Sequence, residues 1–79
     1  MDNVIDETLL QTYLLDILVK LAIETKGKYN DLRVNRMKSE KRYIESTLIT
    51  LHKAELINKD TYRRLCYYFS RVTLKDCEI

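Results

Sequence analysis

The fold of this chain is decided by residues 6–27, which read DETLLQTYLLDILVKLAIETKG. Apolar side chains return every three or four residues, and this is the period of an α-helix. Asp6 offers a side chain that can accept a hydrogen bond from a free amide at a helix start. Gly27 stands where a left-handed residue can end a helix. The stretch therefore predicts a first helix over about residues 7–26.

Two further positions repeat the start signal of Asp6. Asn30 and Asn58 each offer a capping side chain, and each is flanked by apolar residues at the spacing of a hydrophobic staple. Helices are therefore predicted over about residues 31–56 and 59–74, followed by a frayed tail over 75–79. Ser39 lies in a polar stretch where the second helix could break or kink. The short connection before Asn58 predicts that the second and third helices form a hairpin.

The composition agrees with an all-α fold. The chain has 79 residues and no proline, which is the strongest helix breaker. It also lacks the signals of a sheet, since it has no Asn-Gly or Asp-Gly turn and no sustained alternation of apolar and polar residues. It therefore predicts one helical domain over residues 1–79, a three-helix bundle. A domain of this size buries only about 60% of the surface that its unfolded chain exposes. Contact with a partner or with a second copy of the chain would supply further stability.

The first helix carries more apolar surface than one core face needs. Its main apolar face is formed by Leu10, Leu14, Ile17, Leu18 and Leu21. A second apolar face includes Leu15, Val19 and Ile23. Either this helix is central and both other helices cover it, or the second face contacts another copy of the chain or another protein.

The third helix presents the best candidate binding face. Its outward positions carry Arg63, Arg64, Tyr67 and Arg71, and Tyr68 lies on the flank of this face. Tyrosine and arginine are enriched at protein interfaces because each combines a large contact area with a polar group. This face therefore predicts contact with a partner protein, and the alternative is a solvated basic surface.

Charge is distributed unevenly along the chain. Residues 1–32 have a net charge of −3, residues 33–75 have +7, and the last four have −2. Candidate contacts for an anionic partner are Arg33, Arg36, Lys38 and Arg42. The hairpin over residues 52–69 could also act as a helix-turn-helix that binds nucleic acid, with Lys59, Arg63 and Arg64 on its second helix. Against this alternative, the second helix is long, the connection lacks glycine, and the net charge of the chain is only +2.

Catalysis is the least favoured class. With one histidine and one glycine, the sequence shows no Ser/His/Asp or Cys/His set and no glycine-rich phosphate loop. We expect no catalytic residue, no metal site and no cofactor. Cys66 and Cys77 are expected to be free thiols, the first buried on the third helix and the second in the frayed tail.

The sequence predicts a cytoplasmic protein without a membrane span. The first residues, Met-Asp-Asn, lack the positive charge of a signal peptide. The most apolar run, residues 13–23, is shorter than the roughly 20 residues that span a bilayer. Asp16 and Lys20 also interrupt it.

These features together favour a small protein–protein interaction module, alone or as a homodimer. A short helical chain rich in Lys, Glu, Ile and Tyr and poor in Cys resembles the small host-takeover proteins of phages of Gram-positive bacteria. The resemblance is one of size and composition, and it assigns no site residue. It implies an inhibitor that binds and blocks a bacterial host machine for cell division, replication, transcription or proteolysis.

Overall fold

The computed structural model describes residues 3–78, and these form four helices and no strand. The helices are α1 (Glu7–Glu24), α2 (Asn30–Lys53), α3 (Lys59–Arg71) and α4 (Leu74–Cys77). The all-α prediction is confirmed, as is the pairing of α2 with α3. The predicted number of helices was wrong by one, because Leu74–Cys77 form a further helix. Within the described residues, none of these helices has both the length and the apolar character needed to cross a membrane.

Two of the three predicted caps are confirmed. The Asp6 carboxylate accepts the amide of Leu9 at 2.9 Å, and the Asn58 side chain accepts the amide of Thr61 at 2.8 Å. The predicted cap at Asn30 is wrong. The N-cap of α2 is Tyr29, which makes no side-chain capping hydrogen bond. Tyr29 is 88% exposed. Its ring therefore does not pack as a hydrophobic staple requires.

The first helix ends earlier than predicted, at Glu24 rather than Lys26, and the connection to α2 begins there. Gly27 has a φ of +83° in this connection, and this is the left-handed conformation expected of it.

The second helix ends earlier than predicted, at Lys53 rather than Leu56. Glu55 takes a φ of +63°, which an α-helix cannot contain. The amide of Leu56 then donates to the carbonyl of Leu51, and that of Glu55 to the carbonyl of His52. This is the hydrogen-bond pattern of a Schellman cap, with glutamate where glycine is usual. Upstream, α2 runs through Ser39 without a break.

The predicted frayed tail is the largest correction. The third helix ends at Arg71 rather than Leu74, and α4 begins at Leu74 instead. Thr73 caps α4, since its hydroxyl accepts the Asp76 amide at 3.3 Å while the Asp76 carboxylate accepts the Thr73 amide at 2.9 Å. Cys77 is fully buried rather than frayed. The final residue of the predicted tail, Ile79, lies outside the described residues.

The core lies among all four helices. Its most buried apolar side chains are Leu14, Leu18, Ile44, Leu48, Ile57, Leu65 and Cys77. The first helix contacts each of the other three, as one of the two interpretations expected, and α2 does the same. The short α4 contacts α1. On the second apolar face of α1, Leu15 and Val19 are half-buried against the core.

Candidate protein-interaction surface

The exposed face of α3 carries a regular stripe of Arg63, Tyr67 and Arg71. These residues follow one another at intervals of four, so each lies one helical turn from the next. All three are exposed. The Arg71 guanidinium carbon lies 5.6 Å from the centroid of the Tyr67 ring, within the range of a cation–π contact. The stripe therefore presents an aromatic ring with cations on both sides.

Arg64 serves the fold rather than the stripe. It forms two hydrogen bonds with Glu7, from Nε to Oε2 at 3.0 Å and from Nη2 to Oε1 at 2.7 Å. The buried hydroxyl of Thr61 donates to the same carboxylate at 2.8 Å. These hydrogen bonds, led by that from Arg64, lower the pKa of Glu7. Arg64, one of the five residues predicted on this face, thus joins α3 to α1 through its ion pair with Glu7.

Tyr67 and Tyr68 form one wall of an apolar groove between α1, α3 and α4. The groove encloses about 350 Å³ and is lined by Leu15, Tyr67, Tyr68, Arg71, Val72 and Asp76. It brings together residues predicted on two separate surfaces, the second face of α1 and the outer face of α3. We call this groove, together with Arg63, the Tyr67 surface.

Asp76 contributes one negative charge to this surface, and its carboxylate is held in the cap of α4. Its carboxylate accepts the Thr73 amide in the cap of α4, and this hydrogen bond, with that of the Thr73 hydroxyl, lowers the Asp76 pKa. The anion is therefore engaged by the backbone beside it. Arg71 lines the same groove and makes no ion pair among residues 3–78.

A second groove lies on the opposite side of Tyr67, between α2 and α3. It encloses about 410 Å³, and its lining is Lys41, Ile44, Glu45, Leu48, Cys66, Tyr67, Phe69 and Ser70. The Lys41 ammonium donates to the carbonyl of Ser70 at 3.4 Å. Tyr67 is thus a ridge with a depression on each side, and its side chain is 66% exposed.

The predicted face of Leu15, Val19 and Ile23 does not form one surface. Leu15 and Val19 both pack against the core, and Leu15 also lines the groove of the Tyr67 surface. Ile23 is 59% exposed and lines a different groove, with Arg33 and Glu78.

The four predicted contacts for an anionic partner also separate. Arg33 donates to Glu78 at 2.8 Å and to Thr25 at 3.2 Å, and its side chain is only 14% exposed. Arg36 lies 3.9 Å from Glu24. Lys38 and Arg42 are exposed and make no ion pair within the described residues.

Sequence reasoning missed Val72, Asp76 and Lys41 as neighbours of Tyr67. Thr73 and Asp76 stand at capping-box spacing, which was the local signal for the helix that places Asp76 in the groove. Lys41 approaches from α2, and no local pattern could assign it.

The remaining polar side chains suggest no metal site. His52 stacks on Tyr62 with ring centroids 4.9 Å apart. Across residues 3–78, no three His, Cys, Asp or Glu side chains are grouped to hold a metal ion. Cys66 and Cys77 are free thiols, and burial raises the pKa of both.

Comparison with known proteins found no matching protein family, no matching curated protein and no matching solved structure.

Proposed function

We propose that this protein is a small protein–protein interaction module that binds its partner through the Tyr67 surface. The observation that carries the proposal is the meeting of Leu15, Tyr67 and Arg71 at one apolar groove. Interfaces concentrate binding energy in a few aromatic and arginine side chains beside well-packed apolar contacts. The Tyr67 surface offers all of these on helices rather than loops.

The mode of action that we propose is occlusion. An interaction module without catalytic groups acts by covering a surface that its partner needs. Together with its similarity in size and composition to phage host-takeover proteins, this favours an inhibitor of a bacterial host machine. The proposed location is the cytoplasm of that host, and the machine belongs to division, replication, transcription or proteolysis.

Nucleic-acid binding is the alternative, and it has less support. Two of its four predicted cationic contacts, Arg33 and Arg36, face acidic side chains of the same chain. Arg64, on the second helix of the hairpin, is likewise paired with Glu7. Lys38, Arg42, Lys59 and Arg63 would have to supply the phosphate contacts. A salt titration of DNA binding discriminates, because phosphate contacts strengthen as salt is lowered. Absence of DNA binding at low salt would remove this alternative.

Dimerisation through the second face of α1 stays a separate prediction. The apolar groups at its two ends, Leu15 and Ile23, lie in different grooves. A solution mass measurement over a range of concentrations tests it. A monomer throughout would leave the Tyr67 surface free for another protein.

The test of the proposed function compares two exposed tyrosines. Tyr67→Ala removes the ridge of the surface, whereas Tyr43→Ala removes a side chain on α2 that lines neither groove and is 58% exposed. Both variants and the wild type are used to capture proteins from a Gram-positive bacterial lysate. Captured proteins are quantified by mass spectrometry, and binding is then measured with the purified pair.

The proposal predicts a protein that binds wild type and Tyr43→Ala equally and binds Tyr67→Ala more weakly by tenfold or more. A tenfold loss corresponds to about 1.4 kcal/mol, and central interface tyrosines usually contribute at least that. If every captured protein binds the two variants alike, the Tyr67 surface is not the binding site.

A further inference from the structure

We infer that the segment bound by the Tyr67 surface is both acidic and apolar. It inserts an apolar side chain into the groove beside Leu15 and brings carboxylates to Arg63 and Arg71. This inference rests on the proposed function and adds the chemical class of the partner. It follows from the charges around Tyr67 and from the apolar lining of the groove.

The cations of the stripe are available to a partner. Arg63 and Arg71 are exposed, and neither forms an ion pair among residues 3–78. The contact of Arg71 with the Tyr67 ring holds this guanidinium beside the groove. An arginine placed in this way can bind a carboxylate through two parallel hydrogen bonds.

The nearby acids do not cancel these cations. Glu7 is paired with Arg64, and the opposite charges of Lys59 and Asp60, one turn before Arg63, offset each other. Asp76 keeps its negative charge in the groove, but it is one carboxylate against the two cations Arg63 and Arg71. Glu45, in the neighbouring groove, shares that groove with Lys41. The exposed surface around Tyr67 therefore keeps an excess of positive charge, which favours an acidic partner.

The groove supplies the second requirement. Leu15 and Val72 line it, together with the rings of Tyr67 and Tyr68. Its volume of about 350 Å³ falls at the lower end of the range of about 300–1,000 Å³ that is usual for binding pockets. Burying an apolar side chain there removes apolar surface from water on both molecules. A purely acidic segment would leave this apolar lining without a partner.

The same charges argue against a second copy of this chain as the occupant. A symmetric dimer joins the same patch on both subunits. Two stripes brought together would place Arg63 and Arg71 of one copy against those of the other. Like charges at an interface oppose association, so the occupant is a different protein.

A selection from random peptides displayed on phage tests this inference. The library is selected in parallel on wild type, on Tyr67→Ala, and on the double variant Arg63→Glu/Arg71→Glu. All three substituted side chains are exposed, and circular dichroism with a thermal melt checks that each variant keeps its fold. A fluorescent DNA duplex is titrated against the same proteins.

The expected result is a set of peptides enriched about tenfold or more on wild type over Tyr67→Ala. These peptides combine Asp or Glu with neighbouring Leu, Ile, Phe or Trp, and their binding weakens with salt. The double variant should reject them and select basic apolar peptides instead.

Three results would overturn the inference: Tyr67-dependent peptides that are neutral or basic, no Tyr67-dependent peptides, or Tyr67-dependent DNA binding tighter than that of the best peptide. Neutral or basic peptides would leave the proposed function standing, since they would still bind at Tyr67. Failure of the proposed function shows separately, as captured proteins that do not distinguish Tyr67→Ala from Tyr43→Ala.

Discussion

Arg33 and Glu78 form an ion pair at 2.8 Å that ties the start of α2 to the residue after α4. The same guanidinium donates to the Thr25 hydroxyl at 3.2 Å and to the carbonyl of Ala22 at 3.4 Å. One arginine thus closes the junction between the ends of α1 and α4. This junction keeps α4 against α1, and α4 in turn supplies part of the Tyr67 surface.

Replacing Arg33 should therefore destabilise the protein. We expect Arg33→Met to lower the free energy of unfolding by about 1–3 kcal/mol, since it leaves the hydroxyl of the buried Thr25 and the carbonyl of the buried Ala22 without their charged donor. Arg36→Met is the control. Arg36 lies 3.9 Å from Glu24 with both side chains exposed, and such pairs contribute about 0–1 kcal/mol. Urea denaturation measures the free energy of unfolding of both variants. An equal loss in Arg33→Met and Arg36→Met would contradict the stabilising role of the Arg33 junction.

Glu55 offers a stabilising substitution. Its φ of +63° is left-handed, and a side chain there costs roughly 1–2 kcal/mol relative to right-handed backbone. Glu55→Gly should raise the free energy of unfolding by about 0.5–1 kcal/mol, since glycine adopts this conformation without strain. Ala54→Gly, at a φ of −80°, should instead lower it. Thermal melts compare the two variants with wild type. A melting temperature of Glu55→Gly below that of wild type would contradict the strain assigned to Glu55.

The Glu7 carboxylate should make stability depend on pH in the acidic range. Hydrogen bonds from Arg64 and Thr61 lower its pKa in the folded protein. A lowered folded pKa stabilises the fold above the unfolded value of about 4.3. That stability is lost as the pH falls through the folded pKa. Glu7→Gln should therefore melt below wild type at neutral pH, and this gap should shrink at pH values below about 4. A gap independent of pH would count against the contribution of the Glu7 charge.

The two thiols should react at different rates in the folded protein. Cys66 is half-buried at the α2–α3 groove, whereas Cys77, the last residue of α4, is fully buried. A thiol reagent should modify Cys66 first and Cys77 only as α4 opens. Measured on a Cys66→Ser background, Thr73→Ala should speed Cys77 modification, because it removes the hydroxyl that caps α4. Equal Cys77 rates in native and denaturing buffer would show that this end of the chain is frayed.

Local sequence patterns predicted much of the fold. Asp6 and Asn58 cap the helices expected of them, because each is followed by an amide that no other group satisfies. Asn30 carries the same pattern and fails. A staple needs a packed neighbour, and Tyr29 has almost none. The left-handed Glu55 could not be predicted, since glutamate gives no signal for that conformation.

The candidate site was only partly predictable for a similar reason. Periodicity placed Tyr67 and Arg71 outward on one helix, and it placed Leu15 on the second apolar face of another. It could not show that α4 would bring these faces into one groove. It also could not show that Arg64 and Arg33 would be occupied by Glu7 and Glu78, which lie 57 and 45 residues away along the chain.

The location of the binding surface can be measured directly on isotope-labelled protein by NMR, as the change in each amide chemical shift on adding the purified partner. We predict the largest changes at Leu15, Tyr67, Arg71 and Val72, with those of the exposed Leu9 far smaller. The largest changes on Lys38 and Arg42, with the Tyr67 surface unchanged, would contradict the account.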